Sequence, residues 1–339
     1  MLQMPRKEEN SIPAEEYTVP AGCVAILLGT YNGEKYLEEQ LRSLEQQTFR
    51  NFRCFIHDDG SGDRTPAIAE SFAERHPDRF VYLGSSRTGG AKYNFMFLLR
   101  HVRAEYIMFC DQDDVWLPEK VEKTLRAMRK AEKETARGQA RLPICVYSDL
   151  MVVDSSLNVL NRSFYAYRSS DPEKTGLLDL LYQNVAPGCA MMINGSLRRL
   201  ALAGGEVEDR IRMHDWLLIL LARCCGEVVF IAEPLILYRQ HEDNAIGVQK
   251  EKSLGRKLSG VLHIGAWVNG KRTFLNQRRD NARAVLTCVE KFESGGCGES
   301  LVCLREDVAA GVEEIRKFIR KQSRPLAFRI LGYYRWKWS

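Results

Sequence analysis

Two rhythms of apolar positions alternate along the first 120 residues. Val24-Ala-Ile-Leu-Leu-Gly-Thr30 is an almost unbroken apolar run, which predicts a strand buried on both faces. It runs into Tyr31-Asn32-Gly33, where Asn-Gly predicts a reversal. Tyr36, Leu37, Leu41 and Leu44 then recur at helical spacing. The same alternation repeats: a strand over Arg53–His57, a helix from about Pro66, a strand over Phe80–Leu83, and a helix carrying Phe95, Leu98, Leu99 and Val102. Tyr106-Ile-Met-Phe-Cys110 is the next buried strand. Strand and helix alternating over short connections predict an α/β fold, a Rossmann-like open twisted sheet flanked by helices and wound with right-handed crossovers. In such sheets the ligand site lies outside the carboxyl ends of the strands. Thr30-Tyr31-Asn32, Asp58-Asp59 and Asp111-Asp113 are therefore expected at one rim.

Beyond this point the pattern loosens. A charged helix runs to about Lys133, a polar linker surrounds Gly138, and Ile144 to Asp154 reads as a strand that ends in an exposed turn, with Asp149 a candidate for the cleft wall. Gln183 to Ile193 reads as a loop feeding a buried strand, and an apolar helix opens at His214-Asp215-Trp216. A strand over Val228–Ala232 and a turn at Glu233-Pro234 follow. Residues 270–322 are helical in pattern, broken at Ser294–Gly298. Residues 1–20, polar and with Pro5, Pro13 and Pro20, are expected to be a flexible leader.

Charge and cysteine content narrow the class. A net charge of +5 over 339 residues is too mild to point to nucleic acid, although local basic clusters suit anionic lipid or a phosphorylated substrate. The 10 cysteines are scattered without metal-site spacing, and several sit in apolar runs where a thiol acts as a small hydrophobe. With no secretory signal in view, a cytoplasmic location is expected. No apolar stretch is long enough to span a bilayer, so membrane contact would be peripheral.

The strand ending at Cys110 delivers Asp111, Asp113 and Asp114 within four positions. Carboxylates packed this closely repel unless a cation neutralises them, and oxygen ligands favour a hard ion, Mg2+ or Mn2+. The competing reading has Asp113 or Asp114 capping the helix that starts near Leu117-Pro118. Asp58 and Asp59 suit accepting hydrogen bonds from a base or a ribose, or else an Asx turn, a role Asp63 fills as well. The first β-α turn lacks GxGxxG, so a dinucleotide in the usual mode is not expected.

Gly29-Thr-Tyr-Asn-Gly33, then Asp58-Asp-Gly-Ser-Gly-Asp-Arg-Thr65, then Asp111-Gln-Asp-Asp-Val-Trp116 resemble, in order, the signatures of family 2 glycosyltransferases with the GT-A fold. The resemblance implies a nucleoside-diphosphate-sugar donor, with its base near Thr30, Tyr31 and Asp59 and its ribose and diphosphate near Asp111. Asn32, Asp58 and Gln112 complete that donor set, and Lys92 and Asn94 match a motif that helps hold the donor. Asp113 would be the main metal ligand, with Asp111, and with His241 reaching back from Tyr238-Arg-Gln-His241. His214-Asp215-Trp216 resembles the version frequent in rhamnosyltransferase-like members, with Asp215 as the general base. Gly188, Cys189, His214 and Trp216 would line the acceptor side. Physically, one carboxylate must take the acceptor proton, and the cation must stabilise the leaving diphosphate.

These implications divide the chain into a GT-A domain over 21–245, with a donor half at 21–116 and an acceptor half at 140–245, and a helical extension over 246–339. The expected function is metal-dependent, inverting sugar transfer to a hydroxyl of a glycan or lipid-linked acceptor in cell-surface polysaccharide synthesis. A nucleotidyltransferase is the enzymatic rival, although no glycine- and lysine-rich triphosphate loop is present; a non-catalytic binding module is the other. Trp216 fits sugar stacking or the core, and Arg239 fits phosphate or a surface ion pair. The aromatic and basic stretch Phe328–Trp338 is open to three readings: an anionic membrane surface, packing on the domain, or a homodimer contact.

Overall fold

The first apolar run lies at the centre of the protein, with Val24 to Leu28 fully buried. A computed structural model describes residues 16–136, 141–241, 264–295 and 305–324, with Leu326, Arg329 and Tyr333. In chain order the first part comprises β1 (Tyr17–Thr18), β2 (Val24–Thr30), α1 (Leu37–Glu45), β3 (Phe52–Asp58), α2 (Thr65–Arg75), β4 (Phe80–Ser85), α3 (Ala91–His101), β5 (Val102–Arg103) and β6 (Tyr106–Cys110). Most of the leader lies outside the described residues, but its end is anchored. Tyr17 and Thr18 pair in parallel with Val102 and Arg103, and Glu16 accepts from buried Arg198 at 2.5 Å.

The second part comprises β7 (Val115–Trp116), α4 (Lys120–Thr135), β8 (Ile144–Val153), β9 (Val159–Asn161), α5 (Phe164–Arg168), α6 (Leu177–Tyr182), β10 (Met191–Asn194), α7 (Gly195–Ala203), α8 (His214–Cys225), β11 (Glu227–Arg239), α9 (Ile264–Ser294) and α10 (Arg305–Gln322). The main sheet has the order β4-β3-β2-β6-β10-β8-β11-β7, with β9 beside β8. Strands β4, β3, β2 and β6 are mutually parallel, and β10 runs antiparallel to both β6 and β8. The α/β sheet is thus mixed. Pro234 does not end β11, which continues to Arg239 through irregular register at Ile231 and Pro234.

This topology decides what meets at the rim. Because β10 is reversed, its amino end at Met191 lies beside the carboxyl end of β6 and opposite Tyr147 of β8, and the short 3-10 turn Gly188–Ala190 is delivered there. Strand β11 is parallel to β8, so Arg239 and then His241 emerge at the same edge. Helix α8 packs among α6, α7, α9, α10 and the sheet. Its Leu217-Leu-Ile-Leu-Leu221 run is almost wholly buried, each side chain contributing about 1.5–3 kcal/mol of transfer free energy. That burial fixes where its first turn points.

No helix among the described residues is long and apolar enough to cross a membrane. The eight cysteines Cys23, Cys54, Cys110, Cys145, Cys189, Cys224, Cys225 and Cys288 are buried free thiols. Of the basic and aromatic tail, most lies outside the described residues. Arg329 donates to Gln322 and Asn276, and Tyr333 packs edgewise on Phe274 at 5.0 Å, so these two face the protein.

Gly226, between α8 and β11, has no room for a side chain: an added Cβ would lie 1.9 Å from the Pro143 carbonyl oxygen, which also accepts from Glu227 N. Gly226→Ala should cost roughly 2–3 kcal/mol and lower the melting temperature by roughly 5 °C, read by calorimetry. An unchanged melting point would show that α8 and β8 are not held this tightly.

Candidate active site

The rim is built first from carboxylates that serve the scaffold. Asp58 is fully buried and accepts from Thr30 Oγ1 at 2.9 Å, Ser61 N at 2.8 Å, Ser61 Oγ at 2.5 Å and Ser85 Oγ at 2.6 Å. It ties the ends of β2, β3 and β4 together, and neither it nor the buried hydroxyl of Thr30 is presented to a ligand. Asp59 accepts from Thr88 N and Oγ1, from Gly89 N at 3.0 Å and from Gly90 N at 2.6 Å. The glycines, at φ +107° and +123°, let successive amides turn onto one carboxylate. Asp63 accepts from Thr65 N at 2.9 Å and starts α2.

Two further donor-side candidates also turn inward. Lys92 Nζ donates to the carbonyls of Glu208 and Ile211 at 2.7 and 3.1 Å. Asn94 is 2% exposed, with Oδ1 2.6 Å from His57 Nδ1 and Nδ2 donating to His57 O. Both hold α3 in place, so neither is positioned to touch a donor. What stays open is the turn after β2, where the Tyr31 ring is 52% exposed. Gln112 pairs with both the N–H and the carbonyl of Tyr31 at 2.8 Å, and a Cβ on Gly33 would strike its amide at 2.1 Å. Asn32, at φ +47°, accepts from Gly62 N at 2.9 Å and so fastens the turn to the loop after β3.

The acids after β6 separate by direction. Asp113 faces His241, with Oδ2 and Nε2 2.8 Å apart, and the Tyr36 ring lies 4.9 Å from the imidazole. Asp114 points inward: Oδ1 accepts from Arg239 N at 3.0 Å and Oδ2 has no partner among the described residues. Helix α4 starts only at Lys120, so Asp114 does not cap it. Asp111 lies between, and ligand atoms of Asp111, Asp114 and Cys189 fall within 4.8 Å of one another. Burial, then Asp113 and Asp215, pushes Asp111 up to about 7, and burial raises Asp114 well above its ordinary value.

Three residues under these acids escaped the sequence reading or were read differently. Arg239 is 2% exposed; Nε donates to Asp113 O at 2.7 Å, Nη1 to Ser155 O at 2.7 Å, and Nη2 pairs with Glu39. It clamps the acid-bearing loop from below, neither meeting phosphate nor forming an ordinary surface bridge. Lys120 is fully buried, with Nζ 4.4 Å from the Trp116 ring, and burial holds its pKa down to about 8. A lysine at a helix start gives no sequence signal for such a place. Cys189, expected on the acceptor side, is 2% exposed, with its Sγ within 4.8 Å of carboxylate oxygens of Asp111 and Asp114. Burial keeps this thiol protonated, so it is not a thiolate ligand.

The carboxylate oxygens here suit a hard dication. The ligand atoms gathered within 4.8 Å among the described residues are those of Asp111, Asp114 and Cys189, whereas Asp113, expected as the main ligand, is paired with His241; the upward shift of Asp111 marks negative charge that a bound cation would relieve.

Asp215 stands on the first turn of α8 at the same rim and is 8% exposed. Its Oδ1 accepts from Trp216 N at 2.6 Å and its Oδ2 from Gly188 N at 3.0 Å. Burial raises it to about 6 against those hydrogen bonds and the charge of Arg212. Its neighbours do not face an acceptor. His214 is 2% exposed, stacked on Phe95 at 4.3 Å, with both ring nitrogens unpartnered, and leaves no room for a Cβ on Gly188, which would sit 2.9 Å away. Trp216 is 4% exposed and donates to Leu180 O at 2.6 Å, so it is core. Asp149 likewise holds the start of α5, accepting from Phe164 N at 3.1 Å.

Comparison with known proteins identifies the family. Residues 25–200 match the family described as glycosyl transferase family 2. A dTDP-rhamnosyl transferase, RfbG of Shigella flexneri, is 29% identical over 242 residues, 67% of this chain and 78% of that one. An uncharacterized glycosyltransferase of Rickettsia typhi, RT0329, is 24% identical over 224 residues, so this chain spans 64% of its length and 65% of its own. The solved structure of residues 1–349 of S. aureus TarS with UDP is 15% identical, covers 91% of this chain and 87% of that one, and has a TM-score of 0.49.

The buried imidazole has its own consequence for stability. Burial lowers the His214 pKa from 6.5 to about 3, so between those values the unfolded chain binds a proton that the folded chain refuses. Its share of stability is complete above about pH 6.5 and is lost on acidification, by about 1.4 kcal/mol per pH unit. His214→Leu should shrink the loss between pH 7 and pH 5 by about 2 kcal/mol, measured by urea unfolding at both. Equal losses in variant and wild type would place His214 in contact with water.

Proposed function

The chain belongs to glycosyl transferase family 2, and from that premise we propose a metal-dependent, inverting enzyme that moves a sugar from a nucleoside-diphosphate-sugar to a hydroxyl of a glycan or lipid-linked acceptor. The observation that carries this reading is the meeting of Asp111, Asp113 and His241 with Asp215 at one rim. A bound Mg2+ or Mn2+ would supply charge for the departing diphosphate. The open turn at Tyr31 and Asn32, braced by Gln112, suits the nucleotide base, and Asp111 suits its ribose and diphosphate. Arg239 and Lys120 hold the acid loop in place rather than touching the donor.

Asp215 is the residue that takes the acceptor proton. Raised to about 6, it is ionised at neutral pH and basic enough to accept a proton, and the Gly188 and Trp216 amides keep its carboxylate oriented. One base and one displacement give inversion. The likeness to a dTDP-rhamnosyl transferase supports a deoxyhexose donor such as dTDP-rhamnose; a place in cell-surface polysaccharide synthesis at the cytoplasmic face of the membrane is part of the same proposal. The nucleotidyltransferase reading loses ground, since among the described residues no loop at this rim presents lysine and glycine amides together to a triphosphate: the Gly89 and Gly90 amides are bound to Asp59, and Lys92 is turned away.

Asp113→Ala should lose the melting-point rise that Mn2+ with a dTDP-sugar gives the wild type, and Asp215→Asn should keep that rise while its turnover falls about 100- to 10,000-fold. Wild-type turnover in either variant would overturn the roles assigned. The sign of the pH effect follows from the raised pKa: below about 6 Asp215 is protonated and cannot accept, so kcat/KM should fall tenfold per pH unit on the acid side. A profile flat down to pH 4.5 would exclude Asp215 as the base.

A further inference from the structure

Helix α9 brings an excess of positive charge close to Asp215. Its first twenty residues hold Lys271, Arg272, Arg278, Arg279 and Arg283 against a single acid, Asp280. Two contacts join this stretch to the base. The Arg278 guanidinium lies 4.9 Å from the ring of Trp216, the residue after Asp215, and Asn281 accepts from Arg212 N at 3.0 Å. Arg212 is exposed and makes no ion pair among the described residues. Its charge acts on Asp215 and on Arg278, beside burial, the larger cause, which raises Asp215 and lowers Arg278.

Arg278 is the informative member. It is 5% exposed and sits 3.2 Å from the Phe274 ring centroid, donating to the carbonyls of Tyr182 at 3.2 Å and Phe274 at 3.1 Å. No carboxylate pairs with it among the described residues. A buried guanidinium with only neutral partners is costly unless an anion completes it. Arg329, 9% exposed, has the amides of Gln322 and Asn276 as partners, with Arg279, Arg272 and Asp280 as its charged neighbours. Arg279 and Arg283 are already engaged with Asp280 at 3.5 and 3.6 Å, which leaves Arg212, Arg272 and Arg278 without a carboxylate partner among the described residues.

We propose that Arg212, Arg278 and the start of α9 form an anion subsite beside Asp215 that binds a phosphate or diphosphate group on the acceptor. The subsite rests on the reading of Asp215 as the base, and it gives the helical extension a part in the reaction, holding the acceptor by its charged end while a sugar hydroxyl meets Asp215. The donor's own diphosphate is served elsewhere on the rim, where Asp111, Asp113 and His241 lie. Guanidinium groups suit the role because they bind phosphate oxygens in pairs and stay charged at any working pH.

The test is calorimetric titration of the full chain with inorganic pyrophosphate in EDTA, so that no metal-bridged binding at Asp111 and Asp113 contributes. Saturable binding is expected, weakened about tenfold in Arg212→Gln and in Arg278→Gln and unchanged in Asp113→Ala. Because Arg278 is buried and its variant is at risk of misfolding, the exposed pair Arg212→Gln and Arg272→Gln decides alone. Absence of saturable binding, or wild-type affinity in that pair, overturns the subsite. Two carriers are then separated with neutral phosphatidylcholine vesicles, with and without a polyprenyl diphosphate. Tighter retention on the doped vesicles assigns a lipid-borne phosphate, and equal binding of a soluble sugar diphosphate assigns a free one. Full turnover in Asp215→Asn with the pyrophosphate effects intact would sink the base assignment and leave the anion site standing.

Discussion

Negative charge buried at a sheet edge is the constraint on which this protein's organisation depends. Asp111, Asp113, Asp114 and Asp215 converge where water is scarce, and burial together with mutual repulsion raises Asp111 and Asp114. Carboxylates do not stay in such a place without support. Beneath them lie a fully buried ammonium, Lys120, and a nearly buried guanidinium, Arg239. Arg239 donates to Asp113 O, and its own N–H binds Asp114, so one residue fixes both the course of the acid loop and the direction of its side chains. Asp114 then remains inside as part of the support, and Asp113 is left to face His241.

The same division between carboxylates that build and carboxylates that are offered recurs along the rim. Asp58 and Asp59 commit their oxygens to hydroxyls and amides of neighbouring loops, and thereby set the shape of the open turn at Tyr31. Their hydrogen bonds are worth more to the fold than to a ligand, because each unpaired donor in those loops would otherwise be buried unsatisfied. Rigidity gained in this way gives the remaining groups a fixed spacing.

Helix α8 links the catalytic rim to the extension. Its apolar faces are gripped by α6, α7, α9 and α10, so the position of Asp215 depends on helices far along the chain. The amide of Gly188, delivered by the reversed strand β10, orients the Asp215 carboxylate from the other side. Asp215, the acids after β6 and the extension are therefore packed together, with α9 meeting the start of α8 at Trp216 and Arg212.

Continuous apolar runs and period-3.6 patterns along residues 24–110 determined the strands and helices of the first half, because those strands are buried on both faces and those helices on one, so the pattern is the burial itself. The acid clusters after β3 and β6 and the start of α8 at His214 were legible for the same local reason. Only the tertiary structure decided which of those polar residues are presented to solvent. Asp58, Asp59, Lys92, Asn94, Cys189, His214 and Trp216 have side chains whose chemistry suits a ligand equally well, and each is taken up by a partner 27 or more residues away or by the core. Lys120 and Arg239 show the converse, surface-type side chains drawn inside because buried acids needed positive charge. Sequence specifies which groups exist and the local geometry that carries them. Whether a carboxylate becomes a ligand or a brace depends on the donors that the fold brings to it from elsewhere in the chain.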